Sequence, residues 1–557
     1  MTTDRLIYLP LGGAGEIGMN AYVYGYGPAG KERLILVDLG VAFPDMDTTP
    51  GVDLIFADIT WLKENRDRLE AVFITHAHED HVGAVGHLFE RLGAPIIYAR
   101  AFTANIARGK LAEYGLGDHV VTTASAWPET IKAGPFRVGF LPMSHSIPES
   151  SALVIDTPAG RIIHSGDFKL DETPIVGEPF DEALWREVSK DGVRALICDS
   201  TNVFSPNPGR SESEVEPEVE KLVASCDTGI FVATTFASNI ARVKSLAVAG
   251  DKAGRSVCLL GRAMRRMIEA GQETGILSGF PKVISIEDAR EIPRENLMMI
   301  VTGSQGERRA AAAQLARGKH HGITLGEGDT FLFSSKTIPG NEKSVISIIN
   351  NFSQMGVDVI DDTAGRYHVS GHANRPDLAR LQDIVNPQIV IPMHGEHRHL
   401  REHAKMSMEK GRMSFVAVNG MMLELTGNAP KVAEYIETGR TYLDGSIQIG
   451  ALDGIVRDRI RMALNGHVTV TAVIDEDDEA LGDPWCDVMG LPETGRSGVT
   501  LVDVLEQDLS QFLGRADAKT MRDDDKLEEA LRRVVRNSAQ GEIGKKPEVT
   551  VVISRLA

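Results

Sequence analysis

From residue 5 to about 205 the chain alternates short apolar runs with turn residues: RLIYLPL, AYVYGYG, LILVDLG, AVFITH, PIIYA, RVGFLPM, ALVIDT and RIIHSGD. Period-2 or continuous runs of this length predict the strands of a large sheet system, with a few helical stretches between them. Between about 210 and 360 the period changes. SESEVEPEVEKLVAS, SNIARVKSLAVAGDKAG and RAMRRMIEAGQETG read as helices around the strands GIFVATTF and SVCLLG, which predicts a parallel α/β unit of its own. After residue 360 short strands return (QIVIPMH, SFVAVN, MMLELT). The C-terminal stretch gives a strand (HVTVTAVI), two helices (LVDVLEQDLSQFLG, DDDKLEEALRRVVRNSA) and a strand (EVTVVISRL), a small α+β domain that contains the acidic loop DEDDEALGD. The expected division is 1–205 and 361–425 as two parts of one sheet-rich domain, 206–360 as an insertion, 426–464 as a linker, and 465–557 as a C-terminal α+β domain.

Composition narrows the class. With 42% hydrophobic and 25% charged residues over 557 positions, the chain is an ordinary globular protein rather than a disordered, collagenous or disulfide-scaffolded one. No apolar stretch reaches membrane-spanning length, and the N-terminus lacks a basic segment followed by a long apolar one, so a cytoplasmic protein without membrane association is expected. The four cysteines form no CxxC pair, which argues against a cysteine zinc site. The net charge of −19 excludes a sequence-blind coat for polyanions. The charge is uneven, however: residues 206–358 are neutral, with 18 basic and 18 acidic side chains. They hold basic clusters at Arg262, Arg265 and Arg266, at Arg308 and Arg309, and at Lys319, His320 and His321, each of which taken alone reads as a solvated face.

Gly13, Gly15 and Gly18 spell GxGxxG, with Asp38 ending a strand 20 residues on, close to a dinucleotide fingerprint. That fingerprint needs a helix opening at the third glycine. MNAYVYGYG follows instead and reads as a strand, so a tight turn is expected.

The strand AVFIT runs into His76, His78, Glu79, Asp80 and His81. Two histidines two apart on an extended backbone can share one metal ion, and an Asp-His pair where the chain turns into a helix can face a second. Imidazole and carboxylate are donors for zinc or manganese, and two ions a few ångströms apart clamp a phosphodiester. Further donors are expected at strand ends elsewhere: His145 in PMSHSIPES, Asp167 in RIIHSGDFK, able to bridge two ions, and His394 in IVIPMHGEH. His164 and His397 read as supporting or surface residues.

These motifs resemble the metallo-β-lactamase superfamily, whose fold is an αββα sandwich, and within it the β-CASP nucleases, which insert a further α/β domain. CDSTN at Asp199, SGHA at His372 and PMHGE at His394 resemble their motifs A, B and C. With LGGAGEIGMN, ATTFASN, TGSQGE, IPGNE and the C-terminal α+β domain, the chain is similar over essentially its whole length to the ribonuclease J family. The resemblance implies a class α/β protein and a metal-dependent phosphodiester hydrolase. One ion would be held by His76, His78, His145 and Asp167, the other by Asp80, His81, Asp167 and His394, as Zn2+ or Mn2+. It implies Asp199 and His372 as catalytic residues, and Phe236, Ala237, Ser238, His368, Val369, Ser370, Gly371 and His372 around the substrate's nucleotides. It further implies 5′-to-3′ exonuclease activity preferring 5′-monophosphorylated single-stranded RNA, some endonuclease activity, roles in messenger RNA decay and ribosomal RNA processing, a homodimer or homotetramer, and RNA helicase or degradation-complex partners. The sequence departs from some relatives at SGHANRPD and at Lys336.

Two rivals remain. A small-molecule hydrolase of the same fold would not need the insertion or the later motifs, and a non-catalytic RNA-binding scaffold would have lost ligands. Asp45, Asp47, Asp53 and Asp444 are oxygen donors that could hold a separate calcium ion, although surface turns account for them as well.

Overall fold

The computed structural model describes residues 4–117, 120–318, 320–362 and 365–556, so Lys319 lies outside the described residues. The chain divides into two compact units, residues 1–42 with 56–440 and residues 43–55 with 441–557.

In the first unit two large sheets pack face to face. The eight-stranded sheet includes Arg5–Gly12, Ala21–Gly27, Arg33–Val37 and Leu69–Phe73. The seven-stranded sheet includes Phe136–Pro142, Ser151–Thr157, Gly160–His164, Ala195–Asp199 and Ile389–Met393. Their shared core contains Tyr8, Phe73, Phe140, Ile155, Ile197 and Met393. The other face of the seven-stranded sheet packs Leu141 and Val154 against Trp185 and Leu381 of the helices Glu182–Ser189 and Arg375–Val385. Strands covered on both faces read as continuous apolar runs, which is why ALVID lacks alternation. Gly160–His164, Ala195–Asp199 and Ile389–Met393 are parallel neighbours, so the segments that follow them leave from one edge of the sheet.

The insertion forms its own six-stranded parallel sheet, in the spatial order Val283–Ile284, Ser256–Leu260, Leu297–Val301, Phe231–Thr234, Thr330–Phe333, Asp358–Ile360. Helices Ile240–Lys252 and Arg262–Glu273 lie where the 3.6-residue period predicts them. GxGxxG is followed by the strand Ala21–Gly27 and not by a helix. Gly13 takes φ 79°, and a Cβ there would fall 2.1 Å from Asn20 Oδ1, so the position demands glycine for a tight turn.

The segment expected as a linker is structured. Lys431–Tyr435 pairs with Met421–Glu424, Arg440–Asp444 pairs with Ile447–Gly450, and Ile455–Asn465 is helical. Lys431–Tyr435 is an edge strand whose side chains are half-buried or exposed, so it lacks the apolar alternation that would reveal it. In the second unit, strands His467–Ile474, Trp485–Met489 and Glu548–Arg555 form a sheet covered on one face by helices Leu501–Leu513 and Asp524–Ile543, as in Val470 and Leu505 against Leu531.

Candidate metal centre

The motif HAHEDH follows the strand Leu69–Phe73, with His78 as the N-cap of the short helix Glu79–Val82. His145 lies three residues past Phe136–Pro142, and Asp167 three past Gly160–His164. Asp199 ends its strand and His394 directly follows Ile389–Met393. Ends of five strands thus deliver the seven candidate ligands of the two-ion site, and Asp199, to one place.

They form two facing sets. Nδ1 of His78 lies 3.1 Å from Nε2 of both His76 and His145. Opposite, Oδ2 of Asp167 lies 3.2 Å from Nε2 of His81 and 3.4 Å from Nε2 of His394, which is 3.1 Å from Oδ2 of Asp80. The same Asp167 oxygen is 3.9 Å from Nε2 of His76, so one carboxylate reaches both sets. The remaining ring nitrogens are engaged by the protein: Nδ1 of His76 with Thr75 Oγ1, of His145 with the Gly371 carbonyl, of His81 with Asp38 and of His394 with Thr201 Oγ1, and Nε2 of His78 with Ser238 Oγ. Such outward bonds fix each ring's tautomer and turn the free nitrogen inward, the usual arrangement for metal-ligating histidines.

Electrostatics points the same way. Burial, reinforced by neighbouring imidazoles, holds His76 and His145 well below the ordinary histidine value, and burial takes His78 down to about 4, so all three are neutral ligands at pH 7. Burial opposes charge on Asp80 and Asp167 too, but His81 and His394 outweigh it and both carboxyls are held below their usual range. His394 is pushed up to about 10 against its burial, by Asp167, Asp199 and Asp80, and His81 is raised in the same way. The carboxylates therefore call for positive charge at this spot, which divalent cations supply. Asp167 Oδ1 is buried without a hydrogen-bond partner among the described residues, a further sign that the donor set is built for metal. The three ligand-competent groups found among the described residues are His76–His78–His145, Asp80–His81–Asp167–His394 and Asp167–Asp199–His372–His394.

Beside the sets, Asp199 Oδ2 lies 2.8 Å from Nδ1 of His372, and Asp199 Oδ1 accepts from Thr201 N–H at 2.9 Å and Thr201 Oγ1–H at 2.7 Å. Thr201 thereby links Asp199 to His394. His372 is raised: burial works against its charge, and Asp199 and Asp167 prevail. Phe236 and His368 pack with ring centroids 6.2 Å apart, and Asn202 Nδ2 donates to Ser370 Oγ and to the His372 carbonyl. Burial takes His368 down to about 3, with the positive charges of Arg242, Lys169 and Lys336 adding to the effect, and Nδ1 of His368 has no hydrogen-bond partner among the described residues. Ser238 meets His78 and the Gly371 carbonyl meets His145, so Phe236–Ser238 and His368–His372 both adjoin the three-histidine set.

A buried pair supports these two segments. Arg242 Nη2 donates to Glu212 Oε2 at 2.6 Å, Asn239 Nδ2 donates to Glu212 Oε1, and Asn239 caps the helix that starts two residues after Ser238. The Glu212 carboxyl lies down at about 2: its burial is outweighed by Arg242. A lowered acid stabilises the fold above its unfolded value of 4.5, and that stability is lost as pH falls from 4.5 toward 2. Glu212→Gln is expected to cost about 3 kcal/mol at pH 7 and to flatten the stability curve in that window, as urea titrations at several pH values would read.

Asp38, Asn20, Thr75 and Thr201 carry out ligand support that the sequence reading did not single out. Asp38 is fully buried with φ 62° and binds Thr75 N–H, Thr75 Oγ1–H and His81 Nδ1. His164 is buried against Tyr24 OH, and His397 is exposed. The four aspartates considered for calcium do not gather. Asp45 accepts from Asp47 N–H and Thr48 N–H, Asp53 from Gly445 N–H, and Asp444 pairs with Arg459, which is turn and hairpin chemistry. None of them belongs to a ligand-competent group among the described residues.

An αββα sandwich with an α/β insertion and paired His/Asp sets at its strand ends defines a metal-dependent hydrolase of the metallo-β-lactamase superfamily. Four family models match in order: metallo-beta-lactamase superfamily over 15–193, ribonuclease J beta-CASP domain over 228–352, Zn-dependent metallo-hydrolase RNA specificity domain over 364–417, and ribonuclease J C-terminal domain over 454–556. The chain belongs to the ribonuclease J family and is a metal-dependent ribonuclease. It is 40% identical to ribonuclease J of Sinorhizobium meliloti over 99% of this chain and 98% of that one. It is 33% identical to ribonuclease J of Mycobacterium tuberculosis over 96% and 94%, and 36% identical to ribonuclease J 1 of Streptococcus pyogenes over 84% and 82%. A solved protein of unknown function from Enterococcus faecalis shares the fold, with TM-score 0.52 and 17% identity over 75% of this chain and all of that one.

Proposed function

We propose that the chain is a two-metal ribonuclease that degrades 5′-monophosphorylated single-stranded RNA from its 5′ end and also cuts internally. The observation that carries this reading is the pair of facing donor sets joined by Asp167. His76, His78 and His145 would hold one divalent ion and Asp80, His81 and His394 a second, with the Asp167 carboxylate placed between the two sets. Bound ions of this kind clamp the scissile phosphate and lower the pKa of a water molecule. Imidazole and carboxylate donors accept zinc and manganese alike. Asp199 orients His372 and favours its charged form, so that His372 can donate a proton to the departing 3′ oxygen or balance charge on the phosphate. Ser238, Ser370 and the Gly371 backbone, beside the three-histidine set, suit a terminal phosphate. Fixing that end sets the distance to the cut. RNA substrates preferred in this way fit roles in messenger RNA decay and ribosomal RNA processing in the cytoplasm, with helicase or degradation-complex partners. Among the described residues, no helix is long and apolar enough to cross a membrane.

5′-Monophosphorylated RNA should be degraded at least about tenfold faster than its triphosphorylated counterpart, since misplacing the reacting phosphate by an ångström can cost more than that. Equal rates on end-labelled substrates would remove the end-pocket reading. Residues 465–557 are proposed to mediate a homodimer or homotetramer. Trp485 and Val552 are exposed and both lie opposite Thr471 on the sheet face away from the helices. Deleting the chain from residue 465 onward should reduce the mass per particle in light scattering, and an unchanged number of subunits would refute the assignment.

A further inference from the structure

Three basic clusters, each unremarkable alone, converge on one pocket of the insertion. The strands Ser256–Leu260 and Leu297–Val301 are parallel neighbours, and their onward connections diverge. The first leads outward to Val283–Ile284, the second across the sheet to Thr330–Phe333. Diverging connections open a crevice at the carboxyl ends of adjacent strands, where open α/β sheets bind ligands. Here that crevice is a pocket of about 340 Å³, with Leu260 and Thr302 at the strand ends and Arg262, Arg265, Arg309, His320 and His321 around it.

Among the described residues, no acidic side chain lines it. Arg265 donates to the Leu259 carbonyl at 3.1 and 2.9 Å, which fixes the side chain without neutralising it, and among the described residues no carboxylate pairs with Arg262, Arg265 or Arg309. Helix Arg262–Glu273 starts at the pocket. Its N-cap is Gly261 and its first turn holds no acid, so its amino-terminal N–H groups and the positive end of its dipole are uncompensated. A Cβ at Gly261 would fall 2.3 Å from Thr302 Cγ2, so glycine lets the backbone itself reach the crevice. Several cations gathered without a counter-charge repel one another, and an anion relieves that. Planar guanidinium groups with free helix amides match the tetrahedral oxygens of a phosphate.

We propose that this pocket is a subsite for the phosphate of a nucleotide, separate from the metal centre. That the phosphate belongs to a nucleotide rests on the ribonuclease reading, whereas the anion chemistry does not. The neighbouring strand Phe231–Thr234 leads into the loop whose Ser238 meets His78. With strands about 4.8 Å apart, the crevice lies roughly 7 Å along the same sheet edge, within reach of a short single strand. The phosphate is supplied either by the RNA backbone or by a free mononucleotide.

The test uses full-length, metal-loaded protein and the double variant Arg262→Ala/Arg309→Ala, with Arg262→Lys/Arg309→Lys as its charge-conserving partner. The first readout is the ratio of kcat/KM on a 20-nucleotide RNA to that on a dinucleotide, both 5′-monophosphorylated. If the RNA backbone occupies the pocket, the alanine variant lowers this ratio about tenfold, the lysine variant restores most of it, and the slope of log affinity against log salt falls by roughly 1.4, for two lost contacts. The second readout is equilibrium dialysis with labelled uridine monophosphate. Loss of one site per subunit with an unchanged ratio assigns the pocket to free nucleotide. An unchanged ratio with unchanged stoichiometry overturns the proposal. A wild-type chain that cleaved neither RNA would defeat the ribonuclease reading instead, and dialysis would still decide the pocket.

Discussion

Replacing His78 with alanine is expected to reduce RNA cleavage about a thousandfold while leaving the fold intact. The estimate follows from losing several kcal/mol of transition-state charge stabilisation, at 1.36 kcal/mol per tenfold. Position 78 is the informative choice because its role is local. Its imidazole is half-buried at the start of a one-turn helix, and its polar contacts are to His76, His145 and Ser238. His76 and His81 are buried and tied to Thr75 and Asp38, so their removal would confuse lost metal with lost packing. Elemental analysis of His78→Ala should show fewer metal ions per subunit, and the thermal unfolding midpoint should stay near that of the wild type. A variant that cleaves RNA at the wild-type rate with a full metal complement would remove the assignment of His78, and with it the three-histidine site.

How far the chain could be read from its pattern depended on how locally each feature is encoded. HAHEDH was legible because four donors fall within six residues at a strand end. His145, Asp167 and His394 were legible more weakly, each as a polar residue just past an apolar run. Asp38 was not: one aspartate after LILV carries no sign that it will turn to His81, a relation that parallel strand pairing creates. Thr201 was hidden likewise, since its bond to His394 spans 193 positions. The insertion's helices were plain from their period, yet Arg262, Arg309 and His320 looked like separate solvated faces until the sheet order placed their elements at one crevice. The stretch 426–464 was misread for the opposite reason: its short edge strands bury too little to leave a pattern. Bulk charge misled least where it was divided by segment. The −19 belongs to the whole chain, while the basic pocket is lined by side chains of the neutral insertion.

Asp199→Asn should lower kcat by a factor of about 10² to 10⁴ with a much smaller change in KM, the range spanned by positioned proton-transfer groups. The substitution keeps the side chain's shape, and its single oxygen can still accept both bonds from Thr201, but the amide N–H2 then faces His372 Nδ1, so the loss reports the missing charge together with that changed bond. Burial depresses an imidazolium, and in the wild type the Asp199 carboxylate is the leading influence that overrides burial at His372. With a neutral amide in its place, burial gains and the His372 pKa falls. A proton donor is active below its pKa, so the alkaline limb of the kcat–pH profile should move to lower pH in the variant. The two halves of the result separate the residues' roles. A lower kcat with the limb displaced assigns the proton to His372 and orientation to Asp199. A lower kcat with the limb in place would show that the limb does not belong to His372, leaving His372 to balance phosphate charge and Asp199 to hold it there. An unchanged kcat would exclude this pair from the chemistry, because neither role survives the removal of a charge 2.8 Å from the imidazole at no cost in rate.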